Sequence, residues 1–282
     1  MFSIIIPTLN NLKYLKFCIH SILKNSKKEN EILVHVSEDF DKSVRNYLLK
    51  IDIKFTYTKK NVGLCSAINI IAKRARFPYL IYSHDDMYFC PNWEKPLKDE
   101  IDKIKHNKFY LSGSMIEQNS GHIKFDCGAN IEEFDEQKLL NNLDNLNIKD
   151  HQGSHFAPHC VHVDLWNKVG GFSEEFNPGI ASDPDFNMKL WNEGVRIFKG
   201  LSKFKVYHFG SLTTRKNKNV KQNRGDNTFL KKWGFTTSFF KKHYLRSKTK
   251  YMGPLEEPKK NMNYFFDLFK SKMKLLYVRF LS

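Results

Sequence analysis

FPYLIYSHDDMYFCPNW, residues 77–93, runs a β-favouring apolar segment straight into two adjacent carboxylates, Asp85 and Asp86, and then returns to aromatic residues. Residues 79–83 read as a buried strand, because a short apolar run bounded by polar residues suits a strand covered on both faces. Two neighbouring negative charges repel, so a cation is expected beside them. With no basic residue before Lys95, the pair makes a hard oxygen site suited to Mg²⁺ or Mn²⁺, ions that bridge readily to phosphates. An Asp-Asp pair is also an ordinary turn or helix-capping element, so the surroundings have to decide.

Toward the N-terminus, strand-like and helix-like patterns alternate. FSIII (2–6), EILVHV (31–36) and IKFTYT (53–58) read as strands. NLKYLKFCIHSILKN (11–25) spaces Leu12, Leu15, Ile19, Ile22 and Leu23 as a helix does, behind Asn10 or Asn11 as cap; DKSVRNYLLK (41–50) and GLCSAINIIAKRA (63–75) read as helices too. This alternation predicts an α/β fold, an open and mostly parallel sheet flanked by helices. Ligands of such sheets bind beyond the carboxyl ends of the strands, and Asp85 and Asp86 fall just past the end of the fourth. Between 109 and 205 the pattern is mixed but stays within one domain. KFYLSGS, GHIKFDCGAN, VRIFKG and SKFKVYHF read as strands, and DEQKLLNNL and SDPDFNMKLWNEG as helices.

The chain has 282 residues, 41% of them hydrophobic, enough to bury a sizeable core. Its formal charge of +16 suggests a polyanionic partner. That charge is local: residues 1–198 hold 25 Lys+Arg against 26 Asp+Glu, and residues 199–282 hold 21 against 4. Five cysteines without a C-x-x-C pair indicate neither a zinc ribbon nor a disulfide framework and fit a reducing compartment. FSIIIP is too short for a secretory apolar region, and no run approaches the roughly 18 apolar residues of a spanning helix. A cytoplasmic protein, or one peripheral on the cytoplasmic membrane face, is expected. After residue 212 comes a basic polar stretch, TTRKNKNVKQNRGDN, and then helices rich in Lys and aromatics. We therefore expect a catalytic domain over 1–212 and a basic helical extension over 213–282. In the last segment Phe265, Phe269, Met273, Leu276 and Phe280 recur at helical spacing, with Lys270, Lys274 and Arg279 on other faces. It reads either as a helix docked on the domain or as an interfacial helix over 261–282 drawn to an anionic membrane surface.

Four stretches in order carry a resemblance: SIIIPTLNNLKYLKFCIHSI (3–22), KNVGLCSAINIIAKRARFPYLIYSHDDM (60–87), LWNKVGGFSEEFNPGIASDPDFNMKLWNEGVRI (165–197) and VYHFGS (206–211). Over about residues 2–212 the chain resembles the GT-A glycosyltransferases of family 2. The resemblance implies a Rossmann-like open mixed sheet and an inverting, metal-dependent transfer. The donor would be a nucleotide sugar, most commonly a UDP-sugar, and the acceptor a hydroxyl of a glycan or lipid-linked substrate. The family's D-x-D triplet corresponds to His84-Asp85-Asp86, with histidine in place of the first carboxylate. The resemblance makes Asp86 a metal ligand, lets Asp85 contact the ribose or share the ion, and puts His84 near the sugar or nucleotide. It makes His208 a second ligand of Mn²⁺ or Mg²⁺.

Pro7, Thr8, Leu9 and Asn10 match the family's nucleobase pocket, with Ser37 or Glu38 after the second strand; VSEDFD (36–41) leaves open which residue meets the base. Asn61 and Gly63 match an N-x-G element, where a glycine permits close approach to the nucleotide. Asp183 matches the general base, with Ser182 replacing the usual Glu and Asp185 as fallback; helix capping is the structural alternative for Asp183 and Ser182. Arg215 and Lys216 would clamp the diphosphate. His155 or Trp166 would line the sugar pocket, and Trp93 and Trp191 suit the core. HQGSHFAPHCVHVDLW (151–166) holds four histidines at a spacing that matches no closed zinc site. Two rival classes are weaker. A nucleotidyltransferase needs a glycine-rich basic loop that PTLNNLKYL lacks, and a nucleic-acid-binding protein leaves Asp85, Asp86 and Asp183 without a role.

Overall fold

The computed structural model describes residues 1–26, 30–153, 156–210 and 225–280; His155, Arg215 and Lys216 lie outside the described residues. The centre of the fold is β1 (Phe2–Leu9), buried along nearly its whole length. It pairs in parallel with β2 (Glu31–Ser37) on one side and β4 (Tyr79–Tyr82) on the other, and β3 (Lys54–Thr58) adds to β2, also in parallel. Parallel neighbours need crossovers. Here they are α1 (Leu12–Asn25), α2 (Ser43–Lys50) and α3 (Leu64–Ala72); α1 and α2 each bury one stripe, whereas α3 is buried or half-buried all round.

The second half is mixed. In chain order it contains β5 (Met87–Phe89), α4 (Glu94–Ile104), β6 (Phe109–Glu117), β7 (Ile123–Lys124), α5 (Glu136–Asn142), β8 (His151–Gln152), β9 (His159–His162), α6 (Val163–Val169), α7 (Ser182–Asn192) and β10 (Ile197–His208). The sheet runs β3-β2-β1-β4-β9-β6-β10-β5, with β7 against β6 and β8 against β10. β9 is antiparallel to both β4 and β6, and β5 is antiparallel to β10. Helices flank an open sheet, as the alternation predicted. Two strand readings change. VRIFKG and SKFKVYHF form the single strand β10, whose pairing with β6 shifts register between Leu201 and Lys205; that irregularity absorbs the polar Ser202-Lys203 interruption. GHIKFDCGAN contributes only the two residues of β7, because Gly128 turns the chain with its N–H donating to Asp126 Oδ1 at 2.9 Å.

Residues 225–280 form α8 (Gly225–Trp233), the short α9 (Thr237–Phe239) that continues as a π-helical turn over Phe240–Tyr244, and α10 (Met262–Phe280). Phe229, Phe235, Phe239 and Phe240 belong to the same core as the sheet, and Tyr244 meets Trp191 edge-on at 5.2 Å. Trp93 and Trp191 are core residues, as expected.

The anchor between extension and sheet domain is Asp185, which corrects its reading as a fallback base. Its carboxylate is fully buried. It accepts from Ser173 Oγ at 2.6 Å and Trp233 Nε1 at 2.9 Å, and pairs with Lys232 Nζ at 2.9 Å. A carboxylate so occupied has no room for a substrate proton. Capping is also corrected: α7 has Ala181 at its N-cap in left-handed backbone with no side-chain cap, while Ser182 Oγ donates to Gly179 O at 2.7 Å. Replacing Asp185 with Ala should strand the indole N–H and the serine hydroxyl and remove about 2–3 kcal/mol of stability, Lys232 being partly solvated. Urea denaturation of the two proteins measures this, and coincident midpoints would show that Asp185 is not the anchor.

Candidate active site

β4 delivers the chain to the rim of the sheet, where the Ser83 N–H still bonds Ile5 O at 3.0 Å. His84, Asp85 and Asp86 then span the gap to β5. The antiparallel pairing of β5 with the end of β10 sets His208 opposite Met87, so the imidazole arrives beside Asp86. Nε2 of His208 stands 3.4 Å from Asp86 Oδ1, and His84 Nδ1 stands 3.9 Å from the same oxygen. The three ligand atoms offered by His84, Asp86 and His208 all lie within 4.8 Å of one another. Two ligand atoms each about 2.1 Å from one ion are at most about 4.2 Å apart, so both separations from Asp86 suit a shared cation. His84 thereby joins the two residues that the family pattern pointed to.

Glu117, at the end of β6, has no counterpart in the sequence reading. Its Oε1 lies 2.6 Å from His208 Nδ1, which aims Nε2 at Asp86. A carboxylate closing a strand at the sheet rim was the available signal, but nothing in SMIEQNS links it to a histidine so far along the chain. Burial alone would lower the His208 pKa, yet bonding to Asp86 and Glu117 pushes it up to about 9. Burial likewise works against the charged form of Asp86, and His208 and His84 nevertheless hold it below the usual carboxylate range. The His208 ring thus stands between two carboxylates, Asp86 and Glu117. Burial lowers the pKa of His84, which keeps that ring neutral and able to ligate.

Thr8 Oγ1 donates to Asp85 Oδ2 at 2.6 Å, joining the ends of β1 and β4. Burial and the charge of Asp86 raise the Asp85 pKa. Pro7 and Leu9 close β1, and Asn10 follows, exposed and with φ of 48°. Within VSEDFD, Asp39 is committed: it accepts from the N–H groups of Val44 (3.2 Å) and Arg45 (3.0 Å) and pairs with Arg45 Nε at 3.0 Å. Glu38 reaches the next loop instead, accepting from the Asn61 N–H at 3.0 Å. Gly63 is corrected. A Cβ there would collide with the Asn177 side chain, which accepts from the Cys65 N–H at 2.9 Å and donates to Ser66 Oγ at 2.9 Å and Val62 O at 3.2 Å. The glycine makes room for that clamp.

Asp183 projects from the first turn of α7 into a cavity of about 1790 Å³ that His84, Glu117 and His208 also line. Its Oδ1 is buried without a hydrogen-bond partner. Burial pushes its pKa up to about 7, against the lowering influence of Lys241. Lys241 lines the same cavity from the π-helical turn, a neighbour that the basic texture of FFKKHY did not single out. Trp166 is corrected: it is buried, with ring centroids 5.1 Å from Phe186 and 5.6 Å from Phe172, so it packs the core and lines no sugar pocket.

The model of glycosyl transferase family 2 matches residues 3–160. A chondroitin synthase of Pasteurella multocida is 27% identical over 241 residues, covering 73% of this chain and 24% of that protein. The chain thus spans about a quarter of the synthase's length. Among solved structures, S. aureus TarS in complex with UDP-GlcNAc superposes with a TM-score of 0.57 at 16% identity, covering 98% of this chain and 81% of that one. GalNAc-T7 with UDP, GalNAc and Mn²⁺ superposes with a TM-score of 0.57 at 17% identity over 74% and 43%. At these identities the two structures speak for the fold.

The Asp183 carboxyl should titrate near pH 7, and Lys241→Met, which removes a neighbouring positive charge, should move the midpoint upward. Carboxyl carbon NMR on the two proteins reads this, and an Asp183 midpoint near 4 would contradict the described burial.

Proposed function

The chain belongs to glycosyl transferase family 2, and on that premise we propose that it moves a sugar from a UDP-linked donor to a hydroxyl of a glycan or lipid-linked acceptor, with inversion. Asp183 takes the proton of the acceptor hydroxyl as that oxygen bonds to the anomeric carbon. The bond from the anomeric carbon to the diphosphate oxygen breaks in the same displacement, and its electron pair leaves with the nucleoside diphosphate. A divalent cation held by Asp86, His208 and His84 would neutralise the charge that builds on the diphosphate. Two imidazoles with one carboxylate form a softer donor set than carboxylates alone and favour Mn²⁺ over Mg²⁺. Thr8 at the end of β1, with Asn10, Glu38, Asn61 and Asp85 on the loops that follow the first four strands, would receive the nucleotide.

The observation that carries this reading is the shared cavity. Asp183 lines the same space as the His84 and His208 rings, and its Oδ1 is buried without a hydrogen-bond partner. A base poised near pH 7 suits proton removal at neutral pH. Further support comes from the nucleotide-bound likenesses: UDP-GlcNAc on TarS, and UDP with Mn²⁺ on GalNAc-T7. Lys241, Lys242, Arg246 and Lys248 also line the cavity and favour an acceptor that carries negative charge.

Thermal-shift measurements with UDP-sugars, with and without Mn²⁺, should show stabilisation that needs both. Asp86→Ala should lose the Mn²⁺-dependent part. Asp183→Asn should keep it while transfer falls by about a thousandfold or more, and a fully active Asp183→Asn protein would refute the assignment of the base. Release of UDP, not pyrophosphate, separates this reading from nucleotidyl transfer.

Transfer should rise with pH through about 7, because only the deprotonated Asp183 can accept the proton. Glu117→Ala, which frees the His208 ring to turn, should weaken Mn²⁺ binding by about 10–100-fold. Calorimetric titration of Mn²⁺ tests this, and unchanged affinity would show that Glu117 does not orient the ligand.

A further inference from the structure

α10 has two apolar faces. At about 100° per residue, Tyr264, Ser271 and Leu275 fall within one arc of about 40°, and these are the buried residues of the helix. That face is docked. The Tyr264 ring meets Phe239 at 5.1 Å and His243 at 5.3 Å, and Ser271 Oγ accepts from the Thr236 N–H at 3.3 Å. Asp267, the acidic residue of the helix, is committed to Lys242 at 2.7 Å and His243 at 2.9 Å. These contacts hold that side of the helix to the rest of the chain.

The opposite side carries Phe266, Phe269, Met273, Leu276, Tyr277 and Phe280 within an arc of about 100°. All six are exposed, Phe269 at 62%, Tyr277 at 65% and Phe280 at 88%. Single exposed apolar residues are ordinary, whereas a contiguous stripe of six large ones marks an interaction surface. Lys270 and Lys274 border the stripe on one flank, and Lys272 and Arg279 on the other. Their aliphatic stems let the charges reach outward from the edge of an apolar surface.

We propose that this face of α10 is a docking surface for an anionic lipid bilayer, with the helix lying in the plane of the headgroups. Charge complementarity selects the occupant. Residues 199–282 hold 21 Lys+Arg against 4 Asp+Glu, so a second copy docking through the same face would set like charges against each other, while acidic headgroups neutralise them. No helix among the described residues is long and apolar enough to cross a membrane, which fits lying on the surface. The segment Phe239–Tyr244, which receives α10 through Phe239, also contributes Lys241 to the lining of the cavity. The docking surface stands apart from the proposed reaction, and its failure would leave the reading of the site untouched.

Flotation of the full chain with vesicles tests the proposal, using phosphatidylcholine alone and phosphatidylcholine with phosphatidylglycerol in equal parts. The full chain should float with the mixed vesicles and at least tenfold less with phosphatidylcholine alone. Phe269→Asp combined with Met273→Asp, both on the exposed face, should reduce flotation at least tenfold with unchanged thermal melting. Lys270→Glu with Lys274→Glu should do the same by the electrostatic route. A parent chain that stays at the bottom with both vesicles, or an aspartate variant that floats as well as the parent, would overturn the proposal. So would light scattering that shows a dimer broken by the aspartate pair while flotation is absent.

Discussion

The antiparallel pairing of β5 with the end of β10 is the constraint on which the site depends. Those three residue pairs, Val206 with Phe89, Tyr207 with Tyr88 and His208 with Met87, join two segments remote in sequence. They set an imidazole beside Asp86 at the rim of the sheet. Once that contact is made, the rest of the polar arrangement is required to support it. Buried charge is costly unless it is paired and hydrogen-bonded, and here the charges compensate one another: Asp86 against His208, and His208 against Glu117. Glu117 arrives because β6 runs parallel to β10 in a register that sets Ile116 beside Tyr207. Sheet register, not local sequence, assembles the cluster.

The chain also shows how identical side chains acquire different work from their surroundings. Asp183 and Asp185 are two residues apart on α7. Asp185 points into the protein and meets a serine hydroxyl, an indole N–H and an ammonium, so it holds the extension to the domain. Asp183 points into the cavity with an oxygen left unpartnered and its pKa raised toward neutrality. Asp39 and Glu38 divide in the same way, Asp39 turning back onto the start of α2 and Glu38 reaching across to the loop after β3. Pairs of carboxylates driven apart by environment are how one structure separates chemical from structural roles.

The extension adds a second level. Its aromatic core is continuous with that of the sheet domain, and its π-helical turn supplies Lys241, the cation that moderates the pKa of Asp183. The basic region is therefore part of the wall of the cavity as well as a surface. The Arg196 guanidinium stacks over Trp191 at 3.9 Å and its Nη2 pairs with Glu257 at 2.5 Å, so the link between α9 and α10 is tied down too.

Hydrophobic patterning by itself determined the α/β alternation and the position of the acidic pair just past the fourth strand, and a count of charged residues along the chain placed the positive charge in the last third. These are local properties, written in runs of a few residues with period 2 or 3.6. The family pattern added Asp86, Asp183 and His208, and the structure brings Asp183 and His208 to one cavity together with His84 and sets Asp86 beside the His208 ring. Tertiary structure alone decided the remainder. Glu117 and Lys241 reach the site through strand register and helix docking, while Trp166, Asp185 and Gly63 are turned to packing by Phe186, Trp233 and Asn177. Each of those outcomes depends on which remote residue fills the neighbouring space, and a pattern that reports only local periodicity carries no term for it.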